Sequence, residues 1–197
     1  MAVRDRGGDV VTWQVLLVSG ASGSGKSSLA YPLATARGAA LVEVDDLVVA
    51  TQSVTTAATH PDLHHWLHHD DTDLSPDEVL ARQVALAHAL RPAVDAVIAN
   101  HLDTDLPLVL EGDYLLPEHC AAWPAEVRAV VVHEPDPTRL LHNYLTREPA
   151  SGPQRKRATD SAHYGDWLAA QARRHAIPVL HPRPWSTARA RLSELLS

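Results

Sequence analysis

The sequence predicts an α/β fold in which five parallel strands form one doubly wound sheet with helices on both faces. Five short apolar runs, rich in valine and leucine, alternate with longer segments of helical periodicity. Glycine and proline separate the runs from these segments. Strands that alternate with helices pair in parallel through right-handed crossovers, and 197 residues suit a single domain, 1–197.

The first run and the loop after it carry the most specific motif. Residues 15–18 predict a buried strand and residues 28–34 a helix, and residues 20–27 between them match the phosphate-binding pattern G-x-x-x-x-G-K-[ST]. Glycine lets backbone amides approach phosphate oxygens, and a helix N-terminus adds free N–H donors. We therefore expect a nucleoside triphosphate to bind Gly20, Ala21, Ser22, Gly23, Ser24, Gly25, Lys26, Ser27 and Ser28.

Two side chains of this loop are expected to carry its chemistry. Lys26 supplies a mobile point charge for the β- and γ-phosphates, and it is one of only two lysines among the 17 basic residues. A chain that otherwise uses arginine has lysine where a planar guanidinium would not serve. Ser27 supplies a hydroxyl ligand for Mg²⁺. The expected cofactors are therefore ATP and Mg²⁺.

The second predicted strand, residues 39–44, ends in two carboxylates. Because the carboxyl ends of parallel strands face the ligand crevice, Asp45 and Asp46 are expected near the triphosphate. We assign Asp45 to bind the acceptor and take the proton from its hydroxyl, and Asp46 to hold Mg²⁺ through water. The alternative is that these aspartates only cap the next helix.

Residues 47–105 are predicted to form a helical subdomain on the substrate side. Its first part, residues 47–74, has the least regular pattern, and there we assign His64 and Trp66 to the substrate. Several histidines in this part have the spacing of a helical metal site, but without an H-E-x-x-H pattern a solvated or substrate-facing segment is favoured. A helix begins at residue 75 with a capping sequence, and Pro92 is expected to kink or divide it.

The third predicted strand, residues 106–112, also ends in acids. An apolar strand that ends in an acid is typical of the second motif of phosphate-loop proteins, in which the acid lies near Mg²⁺. We assign Glu111 to bind the metal and Asp113 to bind the substrate. Gly112 has no side chain, so we expect backbone or ligand to come close to it. The alternative is that these acids serve only solubility.

The remaining elements are two strands over residues 127–132 and 177–180 and two helices over residues 138–147 and 161–175. After the last strand, Arg183 is expected to stack on the adenine base, Trp185 to lie in the core, and Ser186 to cap a final helix. Residues 147–160, between the two helices, predict a mobile basic loop that closes as a lid. Its Arg155 and Arg157 would stabilise charge on the transferring phosphoryl group, unless the loop is merely solvated.

Composition limits the partners and the compartment. A formal charge of −7 argues against nucleic acid as the main partner, and the single cysteine, Cys120, excludes an intrachain disulfide. No apolar run approaches the ~18 residues that span a membrane. Residues 1–9 are charged and contain glycine, which is not typical of a signal peptide. We expect a cytoplasmic protein without a membrane partner, and an oligomer is possible.

Together these motifs resemble the small-metabolite kinases of the P-loop fold. The stretch Val-Leu-Glu-Gly-Asp-Tyr-Leu-Leu-Pro at 109–117 resembles 2-phosphoglycerate kinase-like proteins, although Tyr114 stands where those commonly carry histidine. More distantly, Val44 and Asp45 resemble chloramphenicol phosphotransferase, which places its catalytic aspartate at the end of the second strand. The resemblance implies a nucleoside monophosphate kinase-like fold and a small-molecule acceptor, with lid arginines that correspond loosely to Arg147, Arg155 and Arg157.

The leading hypothesis is an ATP-dependent kinase that transfers the γ-phosphoryl group to a hydroxyl of a small molecule. Within this class, an antibiotic- or natural-product-modifying phosphotransferase competes with a kinase of central metabolism. A regulatory NTPase that hydrolyses ATP or GTP is a second class, but neither lysine lies in the base-reading motif of GTPases. A nucleotide-binding module without chemistry would leave the carboxylates without a role.

Overall fold

The computed structural model describes residues 13–196, so the segment 1–9 lies outside the described residues. One parallel sheet has the strand order β2-β3-β1-β4-β5. The strands are β1 (Val15–Ser19), β2 (Ala40–Glu43), β3 (Leu108–Gly112), β4 (Val127–Val132) and β5 (Val179–Leu180). The predicted five-stranded parallel α/β sheet is confirmed.

Eight α-helices and one 3₁₀ turn, Pro149–Ser151, join the strands of the described chain. The helices are α1 (Lys26–Arg37), α2 (Val44–Val54), α3 (Pro61–His68), α4 (Pro76–Asp103), α5 (Pro117–Cys120), α6 (Pro137–Arg147), α7 (Arg155–Arg174) and α8 (Trp185–Leu195). None of them is long and apolar enough to cross a membrane.

Strand β1 is fully buried because helices cover both faces of the sheet. Leu16 and Val18 pack with residues of α1 and α8 on one face. Val15 and Leu17 point to the other face and pack with residues of α4, as the alternation of side chains along a strand requires. Burial of each such side chain stabilises the fold by about 1.5–3 kcal/mol. The central strand, which leads into the phosphate-binding loop, is therefore held by apolar packing on both faces.

The register of the strands brings the predicted site to one edge of the sheet. Ser19, the last residue of β1, is opposite Gly112 of β3. Glu43, the last residue of β2, is opposite Glu111. The phosphate-binding loop, the acids after β3 and the start of α2 therefore share the carboxyl edge.

The second strand ends earlier than predicted, so Asp45 and Asp46 do not end a strand. Helix α2 begins at Val44, and both aspartates lie in its first turn, where carboxylates complement the helix dipole. A Cβ atom placed on Gly112 would lie 2.4 Å from Cβ of Val44. The start of α2 therefore packs directly on the end of β3, and Gly112 is the close approach of backbone that the sequence predicted.

The region 47–105 is more regular than predicted. Residues 47–74 contain most of α2 and all of α3, which a hydrogen bond from the Gln52 side chain to the Leu63 carbonyl (2.6 Å) joins. Helix α4 continues without a break through Pro92, so the predicted division is wrong. Leu90 and Val94, on either side of the proline, are buried in the same core. This packing offsets the about 3 kcal/mol that an interior proline costs a helix.

The last third differs from the prediction at three points. Helix α7 begins at Arg155, so the basic residues assigned to a mobile loop lie in a helical turn, which the pair Lys156–Asp160 (2.6 Å) supports. The last helix begins at Trp185, with Pro184 rather than Ser186 as its N-cap residue. Trp185 is 41% exposed and not in the core, because it lies beside the phosphate-binding loop.

Candidate active site

The phosphate-binding loop has the backbone that its glycines predict. Gly23 and Gly25 have φ values of 76° and 97°, a region that favours glycine. A Cβ atom on Gly23 would lie 2.8 Å from the Tyr144 ring, and one on Gly25 would lie 2.8 Å from the Trp185 ring. Helix α1 begins directly after Gly25 and directs its free N–H groups toward the loop.

Lys26 lies in the centre of the site and is already paired. Its Nζ contacts Oδ1 of Asp113 at 2.5 Å and the Ala21 carbonyl at 3.3 Å, and its side chain is 8% exposed. Burial alone would lower the pKa of Lys26, but the charge and hydrogen bond of Asp113 outweigh it and raise that pKa. The side chain is therefore an ammonium ion, held in a position from which a phosphate would compete with Asp113.

Ser27 and Glu111 form the second polar pair of the site. The Ser27 hydroxyl donates to Oε1 of Glu111 at 2.8 Å, and Glu111 is buried. Burial raises the pKa of Glu111, although Lys26 and the Ser27 hydroxyl oppose the shift. A hydroxyl and a carboxylate in contact at the loop are the hard oxygen donors that Mg²⁺ prefers. These two residues fit the predicted cofactor.

Asp45 and Asp46 lie at the rim of the same crevice. Asp45 is exposed, yet desolvation of its carboxyl by the neighbouring residues, followed by the charge of Asp113, raises its pKa. Lys26 attracts the carboxylate and opposes this shift. Asp46 is exposed, and its charge acts with that of Glu111 on the Tyr31 hydroxyl. The crevice therefore concentrates carboxylates around one ammonium ion.

Helices α6 and α7 hold the outer side of the loop. The Asn143 side chain donates to the Gly23 carbonyl (2.9 Å), and the Tyr144 hydroxyl donates to the Ser22 carbonyl (2.8 Å). Arg157 donates to the Ser22 hydroxyl (3.1 Å), and its Cζ lies 4.4 Å from the centroid of the Tyr144 ring. Asn143 and Tyr144 are site residues that the sequence did not predict. The only signal was their place on an amphipathic helix, which indicates packing and not contact with the loop.

An open cleft of about 460 Å³ lies beside the loop. Its lining combines the loop and the start of α1 with α6 and the segment after β5: Gly23, Ser24, Gly25, Ser27, Ser28, Glu134, His142, Asn143, Thr146, Arg147, Pro182, Arg183 and Trp185. Arg183 is exposed, with Nε 3.7 Å from the buried Glu134 carboxylate. The predicted nucleotide residue Arg183 is thus brought to the loop, together with Trp185, which the sequence analysis assigned to the core.

Other predicted residues are not brought into contact with the loop. Arg155 is exposed in the first turn of α7. His64 is buried, and its Nε2 lies 2.9 Å from the Thr55 hydroxyl at the end of α2. Trp66 packs against the core below α4 and meets the edge of the His65 ring. These contacts are structural, and the roles assigned to the three residues stay predictions.

Comparison with known proteins agrees with the fold. No protein-family model and no curated protein matches the sequence. The structure is similar to shikimate kinase from Acinetobacter baumannii in complex with shikimate (TM-score 0.54, 14% identity, 94% of this chain and 92% of that chain). It is also similar to a gluconokinase from Sinorhizobium meliloti 1021 (TM-score 0.54, 16% identity, 94% of this chain and 92% of that chain). A third similar structure is that of a protein from Thermus thermophilus (TM-score 0.57, 15% identity, 92% of this chain and 95% of that chain).

At these identities the likeness shows the fold alone, which this chain shares with the shikimate kinase and the gluconokinase. Neither of the two named kinases is a 2-phosphoglycerate kinase or a chloramphenicol phosphotransferase. The resemblance to those two families therefore stays a prediction.

Proposed function

We propose that the chain is a kinase that transfers the γ-phosphoryl group of Mg·ATP to a hydroxyl of a small molecule. The observation that carries the proposal is the meeting of two sets of groups at one edge of the sheet. One set is the loop with Lys26 and the Ser27–Glu111 pair, which suits a triphosphate and its metal. The other set is Asp45 with Asp113, which a protein that only stores nucleotide would not need.

On the donor side, each group has one task. The loop amides and Lys26 bind the phosphates, and Lys26 exchanges Asp113 for phosphate oxygens when nucleotide arrives. Ser27 and Glu111 would hold Mg²⁺, which neutralises charge on the phosphates, and Asp46 would act through water. The cleft beside Arg183 and Trp185 would take the base, with the guanidinium stacked on it.

On the acceptor side, Asp45 takes the proton from the hydroxyl that attacks the γ-phosphorus. The pKa of Asp45 is raised, which brings it nearer to the pKa of an efficient general base. Asp113, released by Lys26, would bind another polar group of the acceptor. The names of two structural neighbours, a shikimate kinase and a gluconokinase, support a small acceptor with several hydroxyl groups.

A screen of hydroxyl-bearing metabolites and antibiotics for ATP-dependent phosphorylation, read by mass spectrometry, tests the proposal. We expect a mass gain of one phosphoryl group on one chemical class of acceptor, and no gain with the Lys26→Ala variant. Release of phosphate at the same rate with and without every acceptor would instead support a hydrolytic switch. If the phosphorylated compounds are antibiotics, the chain is an antibiotic-modifying phosphotransferase. If they are metabolites, it is a kinase of central metabolism.

Substitution of Arg157 tests the lid. Because Arg157 contacts Ser22 of the loop and the ring of Tyr144, we expect Arg157→Ala to lower kcat by about 10²-fold. The melting temperature should fall only modestly: Arg157 also pairs with Glu148 (3.1 Å), but exposed ion pairs and cation–π contacts are each worth at most about 1 kcal/mol.

Arg155→Ala is the matched comparison, because Arg155 is exposed in the same helical turn. We expect a smaller loss of kcat from this variant. Normal kinetics for Arg157→Ala would make the lid hypothesis wrong, and a larger loss for Arg155→Ala would transfer the role to Arg155.

A further inference from the structure

Three side chains that commonly bind metals meet where α5 packs beside α4, outside the nucleotide cleft. His88 Nδ1 lies 3.1 Å from His119 Nε2. Oε1 of Glu118 lies 3.5 Å from His88 Nε2 and 3.6 Å from His119 Nε2. One ligand atom from each residue can be chosen so that all three lie within 4.8 Å of one another. Within residues 13–196 this is the one group of three or more such side chains that is close enough to share an ion.

The spacing of this cluster suits an ion better than it suits hydrogen bonds. The two imidazoles can share one N–H, but the carboxylate is too far from both rings for a good hydrogen bond, which needs about 2.7–3.2 Å. Ligands that surround a tetrahedral ion at about 2.0–2.1 Å lie about 3.3 Å apart. The contacts that Nε2 of His119 makes with Nδ1 of His88 (3.1 Å) and with Oε1 of Glu118 (3.6 Å) lie around that value.

We propose that His88, Glu118 and His119 bind one divalent transition-metal ion, with Zn²⁺ as the best match. Two imidazoles and one carboxylate are ligands that Zn²⁺ accepts, whereas Mg²⁺ prefers oxygen alone. His119 is buried, and the side chains of His88 and Glu118 are about half exposed. A fourth position would thus be open to water.

The surrounding charge permits a cation. Arg91, one turn after His88 on α4, is the nearest competing charge, but its guanidinium is paired with Asp95 at 3.1 Å. Asp95 also acts electrostatically on His119. Because Arg91 and Asp95 offset each other, the carboxylate of Glu118 leaves a formal charge of −1 on these three groups.

A bound ion would connect two parts of the site. Helix α5 follows the segment that carries Glu111 and Asp113, and α4 covers the sheet below it. The Leu115 carbonyl in that segment accepts a hydrogen bond from Ser19, the residue before the loop (2.7 Å). An ion between α4 and α5 would fix the far end of this segment, so its role is structural and does not depend on the proposed reaction.

Titration of the metal-free full-length chain with Co²⁺ and Zn²⁺ tests the proposal. We expect one Co²⁺ per chain with visible absorption typical of imidazole ligands, displacement by Zn²⁺, and a higher melting temperature with Zn²⁺. His88→Ala and Glu118→Gln should each lower the affinity for the ion by more than about 100-fold, because loss of a partner that only supports a ligand already costs about 10–100-fold. Both residues are exposed, so these variants should fold even if His119→Ala does not.

The histidine pairs of α3 provide the matched control. The rings of His65 and His69 lie 4.8 Å apart and have the spacing of a two-imidazole site, so the variant His65→Ala/His69→Ala should retain the ion. Absence of Co²⁺ or Zn²⁺ binding to the unaltered chain would overturn the proposal. Unchanged binding by His88→Ala would overturn it too, as would loss confined to the α3 variant.

Discussion

Lys26→Ala is expected to reduce phosphoryl transfer by about 10²–10³-fold while the chain keeps its fold. Lys26 is the ammonium ion at the centre of the site, and the other lysine of the chain, Lys156, pairs with Asp160 instead. Its methylenes are buried, but most of its interactions are with Asp113, whose side chain is 23% exposed and can be solvated. Steady-state kinetics with the acceptor from the screen, alongside circular dichroism, measures both effects.

Asp113→Asn separates loss of the ammonium from loss of the ion pair. This variant breaks the pair but keeps Lys26 available to phosphate, so nucleotide should bind at least as tightly as before. A Lys26→Ala variant with full activity would make the assignment of the loop wrong. If both variants lose the same nucleotide affinity, the ion pair between Lys26 and Asp113 holds the loop in shape, and the charge of Lys26 alone does not explain binding.

Asp45→Asn is expected to lower kcat by about 10²-fold with little change in the KM for ATP. The amide keeps the shape of the side chain but cannot take a proton from the acceptor. The acid limb of the pH–rate profile should lie above the usual range of an aspartate, because desolvation of the carboxyl and the Asp113 charge raise the pKa of Asp45. In the variant this limb should disappear from the residual activity.

Asp46→Asn is the control for this prediction, since Asp46 lies in the same helical turn. A role through Mg²⁺ would appear as a higher Mg²⁺ requirement and not as a changed pH profile. An unchanged rate for Asp45→Asn, together with a large loss for Asp46→Asn or Asp113→Asn, would move the base to that residue.

The same pKa shift gives the sign of the effect on stability. A carboxyl whose folded pKa is raised favours the folded chain when protonated, and this stabilisation is lost as the pH rises through the folded pKa. Above that pH, the ionised Asp45 opposes folding. Asp45→Asn should therefore not lower the free energy of unfolding at neutral pH, although it lowers activity.

The features that the sequence predicted correctly depend on residues that are adjacent in the sequence. The five strands are short apolar runs, and the loop glycines precede a helix whose start the motif itself specifies. The boundaries that were wrong depend on distant contacts. Helix α2 begins at Val44 because the chain packs on Gly112, and no local pattern around Val44 shows this.

Residues of the candidate site that come from separate elements were the hardest to predict. Asn143 and Tyr144 contact the loop across more than a hundred residues of chain. Trp185 looked like a core residue because it is large and apolar, yet its ring lies against Gly25. His88 and Glu118 lie about thirty positions apart on two helices, whereas the histidines whose spacing suggested a metal all lie near α3.

The contact between Gly112 and Val44 limits which substitutions can be accepted at these two positions during evolution. The two positions leave no space for a second Cβ atom, so a side chain can be gained at 112 only if one is lost at 44 or the helix shifts. A shift would carry Asp45 away from the phosphates, because Asp45 is the next residue of that helix. Chains that keep the helix docked should therefore inherit the two residues as a pair, and exchange of one without the other should be selected against.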